Sequence, residues 1–108
     1  MPRWLPKVLR RIRALATSQR VRFTLKARRE LASLAFGLDE EDVCVVLANL
    51  TAKDTAGRLE SATTGEWMYL FKPHVVGTVV YVKVVLRNDC VVISFHEDET
   101  GGHEREDA

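Results

Sequence analysis

A phenol and an ammonium stand two residues apart in the run TVVYVKVVL, at Tyr81 and Lys83. Side chains on a β-strand alternate between its faces, so Tyr81 and Lys83 share one face with Val79, Val85 and Arg87, while Thr78, Val80, Val82, Val84 and Leu86 share the other. The second set is a core face. The first puts a proton donor or acceptor beside a cation on a rigid strand, the placement that a reactive site needs and a solvent face merely tolerates.

The elements around that strand must hold it in place. Trp67 to Phe71 reads as a preceding aromatic strand that Pro73 ends, because proline has no amide for a sheet ladder, with His74 to Gly77 as the connection. Asn88 and Asp89 turn the chain into Cys90 to Phe95, a nearly continuous apolar run expected to be a central strand. Upstream, Trp4, Leu5, Val8, Leu9, Ile12 and Leu15 form a helical stripe with Lys7, Arg10, Arg11 and Arg13 on its other sides. Such a helix suits a core or a membrane surface; running almost directly into the strand-like Val21 to Phe23, it is read as docked. A second helix is expected from Thr24, its N-cap, to about Ala35, with Ala27, Leu31 and Leu34 inward and Gly37 as the stop. A third begins at Asp39, with Asp42 in a capping-box position, acids in its first turn, and Val43, Val46, Leu47 and Leu50 inward. The polar stretch from Thr51 to Thr64 reads as a helical turn at 51–56 and a short strand at 58–62.

At 108 residues the chain makes one domain, assigned to residues 1–95, followed by an acidic tail, 96–108, whose composition cannot offset the cost of ordering a backbone. The net charge of +1 conceals a split, since ten of the sixteen Lys and Arg residues fall in the first third. That basic third attracts polyanions such as RNA, or else consists of solvated helix faces. Cys44 and Cys90 lie far apart in apolar runs and read as reduced core residues. His74, His96 and His103 are too sparse for a metal site, and no phosphate-cradling glycine pattern occurs. Arginines break the N-terminal apolar run and no membrane-length apolar stretch exists, so the expected location is the cytoplasm.

Several local patterns occur in a shared order: Val21-Arg22-x-Thr24 before the second helix, Cys44 in the third, Trp67-x-x-x-Phe71-Lys72-Pro73, Val80-Tyr81-x-Lys83, and Val92-x-Ser94-Phe95. In this order and spacing, across roughly residues 7 to 97, the chain resembles the MqsR family of bacterial toxins from toxin–antitoxin pairs. The resemblance implies an α+β, RelE-like fold, an antiparallel sheet packed by N-terminal helices. It also implies ribosome-independent cleavage of messenger RNA at short motifs, and a cognate antitoxin of helix-turn-helix type. The family's catalytic set is a lysine after the third helix, a glutamine just after the tryptophan, and the tyrosine of V-Y-x-K. Here the tyrosine is Tyr81, the glutamine position holds Met68, and the lysine position falls at Gly57 with Arg58 next to it.

Cleavage through the ribose 2′-hydroxyl needs no metal or other cofactor. It needs a group to take a proton, a group to protonate the leaving oxygen, and cations for the charge at phosphorus. Tyr81 serves as acid or base provided that nearby positive charge lowers its pKa from about 10. Arg58, Lys72 and Lys83 are the candidate cations, and His74 carries the side chain best suited to exchange protons near neutrality. The basic helix, with Lys26, Arg28 and Arg29, and Arg22 before it, is the expected binding surface for single-stranded messenger RNA. The alternative is a catalytically impaired member of the fold, acting as an antitoxin- or nucleic-acid-binding regulator, because Met68 and Gly57 depart from the catalytic pattern. A plain interaction module is the third reading.

Overall fold

A computed structural model describes residues 1–35 and 37–99. Its strands are β1 (Val21–Phe23), β2 (Thr55–Glu60), β3 (Trp67–Phe71), β4 (His74–Val75), β5 (Thr78–Leu86) and β6 (Cys90–Glu97). They form one mixed sheet in the order β1-β6-β5-β3-β2, with β4 also paired to β5. All pairs are antiparallel except β1 with β6, which is parallel.

β3 ends at Phe71, before Pro73, as expected, but pairing along β5 resumes beyond the proline in β4. Phe71 opposite Val82 and His74 opposite Val79 belong to a single register, and that register sets Lys72 opposite Tyr81. Pro73 has no amide to give, but its carbonyl accepts from the Val80 amide at 2.9 Å. The ladder is therefore carried by an acceptor. Val76 and Gly77, both at positive φ, close the β4–β5 hairpin in two residues, the backbone signature of a tight primed turn.

Three helices, α1 (Leu5–Thr17), α2 (Leu25–Ala32) and α3 (Glu40–Ala48), bury their apolar sides against one face of this sheet. Leu5, Leu9 and Ile12 of α1, Ala27 and Leu31 of α2, and Val43 and Leu47 of α3 meet Phe71, Val80, Val82, Val84, Val92 and Phe95. The helix starts follow from local chemistry. The Thr24 hydroxyl accepts from the Ala27 amide, and Asp39 and Asp42 exchange side-chain and backbone bonds in a capping box. α2 stops at Ser33, short of the expected Ala35, which leaves Leu34 only half-buried.

A bulge decides which residues of β6 face the helices. Lys83 pairs with Ser94 but Val84 pairs with Val92, so Ile93 is an extra residue. The insertion shifts the alternation by one: Val92 and Phe95 both enter the core, and Ser94 goes to the other face. β6 also runs two residues beyond the expected domain end at 95, because β5 begins at Thr78 and offers partners: His96 pairs with Tyr81 and Glu97 with Val80. The Asp98 amide then donates to the Val79 carbonyl at 2.9 Å. The tail beyond, residues 100–108 with His103, lies outside the described residues. β2 likewise starts three residues before its expected strand, with Gly57 at φ +100 in an irregularity opposite Leu70. β1 pairs with only three of the eight residues of β6, and α2 with its N-cap covers more of that edge. Thr24 donates its amide to Val92, and the Glu30 carboxylate accepts from the Phe95 amide at 3.0 Å.

Candidate active site

The sheet face away from the three helices carries the polar residues of β3 to β6 in rows. One row is Lys72, Tyr81 and His96, and the next is Leu70, Lys83 and Ser94. His74, Val79 and Asp98 continue the pattern at one end, and Met68, Val85 and Val91 at the other. Tyr81 and His96 are cross-strand partners whose rings stack, 5.0 Å between centroids and 23° between planes.

Hydrogen bonds orient these groups. His96 Nδ1 lies 2.8 Å from the Glu97 carbonyl. A carbonyl can only accept, so in this bond Nδ1 carries the proton and the neutral ring keeps its lone pair on Nε2. Lys26 Nζ donates to Ser94 Oγ at 2.9 Å and to the Glu30 carboxylate at 2.8 Å, which ties α2 to the open face. Ser94 is buried, so its hydroxyl requires such a partner. At the other flank, Lys72 Nζ stands 3.6 Å from the carboxylate of Asp98, whose side chain is only 4% exposed.

Charge acts on Tyr81 opposite to the expectation from sequence. Burial pushes the phenol above its ordinary value, and the Asp98 carboxylate pushes it further. Tyr81 therefore holds its proton at neutral pH and serves as a donor. Glu30 goes the other way. Burial favours its neutral form, but the bonds from Lys26 and the Phe95 amide, with the charges of Lys26 and His96, outweigh that and leave it below the ordinary carboxylate range.

Of the candidates expected from sequence, the fold gathers Tyr81, Lys83 and Lys72 on this face, with the exposed His74 one row away on the short β4. Arg58 is elsewhere. It pairs with Tyr69, whose ring meets Trp4 on the helix side, and its guanidinium sits 5.0 Å from the ring of Trp4 and 3.8 Å from that of Trp67. Gly57 and Met68, the positions where the family pattern has lysine and glutamine, do lie on the face of Tyr81, opposite Leu70 and Val85. The basic helix is more compensated than its composition suggests: Lys26 pairs with Glu30, Arg28 pairs with Glu40 at 3.0 Å, and Arg29 lines a pocket with Glu30, Glu97 and Glu99. Arg22 is exposed, beside Arg87. The residues that the sequence reading missed are His96, Ser94 and Asp98. His96 and Asp98 stood in what was taken for tail, and Ser94 stood in an apolar run whose bulge leaves no sequence mark.

Among the described residues, no three His, Cys, Asp or Glu residues gather as a metal site, and no helix is long and apolar enough to cross a membrane. Neither cysteine is in a disulfide, and burial, with Cys44 nearby, pushes the Cys90 thiol up to about 12.

Three helices on one face of a mixed, mostly antiparallel six-stranded sheet define an α+β protein whose other sheet face carries no helix among the described residues. The family model described as "motility quorum-sensing regulator, toxin of MqsA" matches residues 6–97, and the chain belongs to this MqsR toxin family. The class that comes with membership is a toxin of a toxin–antitoxin pair. No curated relative matches the chain.

Proposed function

We propose that this toxin is an endoribonuclease that cuts single-stranded messenger RNA on its open sheet face, through the ribose 2′-hydroxyl, and is restrained by a cognate antitoxin of helix-turn-helix type. The observation that carries the reading is the row Lys72–Tyr81–His96, a proton donor stacked on an imidazole between flanking lysines. His96 Nε2 takes the proton of the 2′-hydroxyl, since its other nitrogen is committed to the Glu97 carbonyl. The oxygen attacks phosphorus, forming a cyclic phosphate and breaking the bond to the 5′-oxygen of the next nucleotide. Tyr81, which its surroundings keep protonated, delivers a proton to that leaving oxygen. Lys83 and Lys72 supply positive charge where the phosphorane gains negative charge. His74, exposed at the end of the face, is placed to meet the neighbouring nucleotide.

A second reading has its own observation. Gly57 and Met68 face the same side as Tyr81 and bring no charged or hydrogen-bonding side chain there. On that reading the chain binds RNA or antitoxin without cutting. Incubation of purified protein with single-stranded RNA in EDTA separates the two. The ribonuclease reading expects fragments ending in 2′,3′-cyclic phosphate and 5′-hydroxyl, and growth arrest when the chain is expressed without antitoxin. Cleavage only on addition of a divalent metal would overturn the mechanism, and retention of intact RNA at measurable affinity would establish the non-cutting reading.

A further inference from the structure

α1 buries Leu5, Val8, Leu9, Ile12 and Leu15, and every charge it leaves outside is a cation. Lys7, Arg10, Arg11, Ala14 and Ser18 recur at helical spacing on the outer side, all exposed. With Arg20 they line a groove of about 470 Å³, in which Ala14 and Ser18 are the short side chains and Lys7, Arg10, Arg11 and Arg20 the cations. Among the described residues no carboxylate lines it. α2 differs, because two of its cations are paired with Glu30 and Glu40 and the third lines a pocket with three acids. The α1 cations keep their charge uncompensated to a much greater degree. Arg11 donates to a neutral carbonyl, that of Arg87 at 2.7 Å, and among the described residues only Arg20 of this groove has a carboxylate partner, Asp89 at 3.0 Å, while staying 55% exposed.

The groove also connects to the open face. Arg20 lies at its end and immediately precedes β1, where strand alternation puts Arg22 on the same side two residues on. Arg22 pairs in register with Val91, an open-face residue, and lines a pocket of about 350 Å³ with Asn88 and Val91. Lys26 follows, its amine on Ser94, which is opposite Lys83. Cations thus run Lys7, Arg10 and Arg11, then Arg20 and Arg22 with Asp89 beside them, to Lys26, whose charge is shared with Glu30, at the row next to Tyr81.

From this we infer that the outer side of α1 is a docking track for the phosphodiester backbone of single-stranded RNA, which leads around the β1 edge to the open face. The inference rests on the ribonuclease reading for its destination, but its ligand chemistry stands on the groove. A polyanion fits a groove of four cations, and an amphipathic helix whose apolar stripe is already in the core keeps only short apolar stretches such as Ala14 for a membrane. Backbone contacts of this kind carry affinity and processing of long chains without base preference.

The test compares the parent with Lys7→Gln/Arg10→Gln/Arg11→Gln, and with Lys7→Gln/Arg10→Gln, which spares the Arg11 bond if the triple variant fails to fold. Binding to a long single-stranded RNA of mixed sequence is measured by anisotropy from low to moderate salt. The track predicts an affinity loss of roughly tenfold or more, and a salt slope shallower by about two units for three lost contacts on a single strand. It also predicts a rise in KM for the long RNA that exceeds the rise for an RNA just long enough to fill the open face. A folded variant with parental affinity and slope overturns the track and leaves the ribonuclease reading intact. RNA binding that drops as predicted in a parent that never cuts RNA supports the track and overturns the catalytic reading. A parent that binds phosphatidylserine vesicles but no RNA overturns both.

Discussion

The two faces of β5 are one residue apart along the chain and differ in chemistry at their centres, Val80, Val82 and Val84 on one and Tyr81 and Lys83 on the other. Val80, Val82 and Val84 are fully enclosed by helices and need only the right volume. Tyr81 and Lys83 are half-exposed, and their neighbours Ser94, His96 and Asp98 are each fixed by a directed bond or ion pair. A face held by packing tolerates apolar exchange at constant volume, while groups held by directed bonds are sensitive to the loss of a single partner atom. Substitutions on the two faces should therefore fail in different assays.

The largest effect is expected on the packed face. Phe95 is fully buried, so Phe95→Ala should remove about 3–5 kcal/mol of stability. That corresponds to a Tm loss above about 10 °C in a domain of this size. A small shift would mean that the helices do not close over β6 as described. On the open face, His96→Gln should alter stability by less than about 1 kcal/mol, the scale of a cross-strand pair. It should also slow RNA cleavage by roughly a hundredfold or more, the scale of a lost general base. Equal rates for parent and variant would remove the imidazole from the mechanism.

The smallest effect is expected where the two faces are laced together, at Glu30. Its folded-state pKa lies below the ordinary 4.5, so its contribution to stability is complete above that value and lost as pH falls through the folded pKa. Glu30→Gln should thus melt slightly below the parent at neutral pH, and the gap should close in acid. A gap that widens as pH falls would mean that the carboxylate is not held charged by Lys26 and the Phe95 amide.

How much of this was legible beforehand depends on the range of the interaction involved. The α1 stripe, the Thr24 and Asp39 caps and the alternation of β5 are local patterns, and each marks its element in the sequence. The open-face site was legible only as far as Tyr81, Lys83, Lys72 and the nearby His74. Arg58 stands next to the family's lysine position in sequence, yet the alternation of β2 sends it to the other side of the sheet, between two indoles. His96 was hidden by composition: the strand from Thr78 was legible, but the register that sets Tyr81 opposite His96 was not, and without it an acidic stretch reads as tail. The bulge at Ile93 depends on how β6 meets β5, and an apolar run gives no sign of it. Local rules place elements; register between strands places side chains, and register is a long-range property.

The most direct test of the account is the rate at which Tyr81→Phe cleaves single-stranded RNA in EDTA, measured beside its RNA affinity and across pH. The phenol is held protonated by burial and by Asp98, so its proton should be lost only at pH above the ordinary value of 10.0. On the alkaline side, activity that depends on that proton should therefore hold past neutral pH and fall only in strong alkali. Removal of the hydroxyl should leave affinity nearly unchanged and cut the rate by roughly a hundred- to ten-thousand-fold. A variant that cleaves at the parental rate would contradict the account and leave Tyr81 as packing for His96.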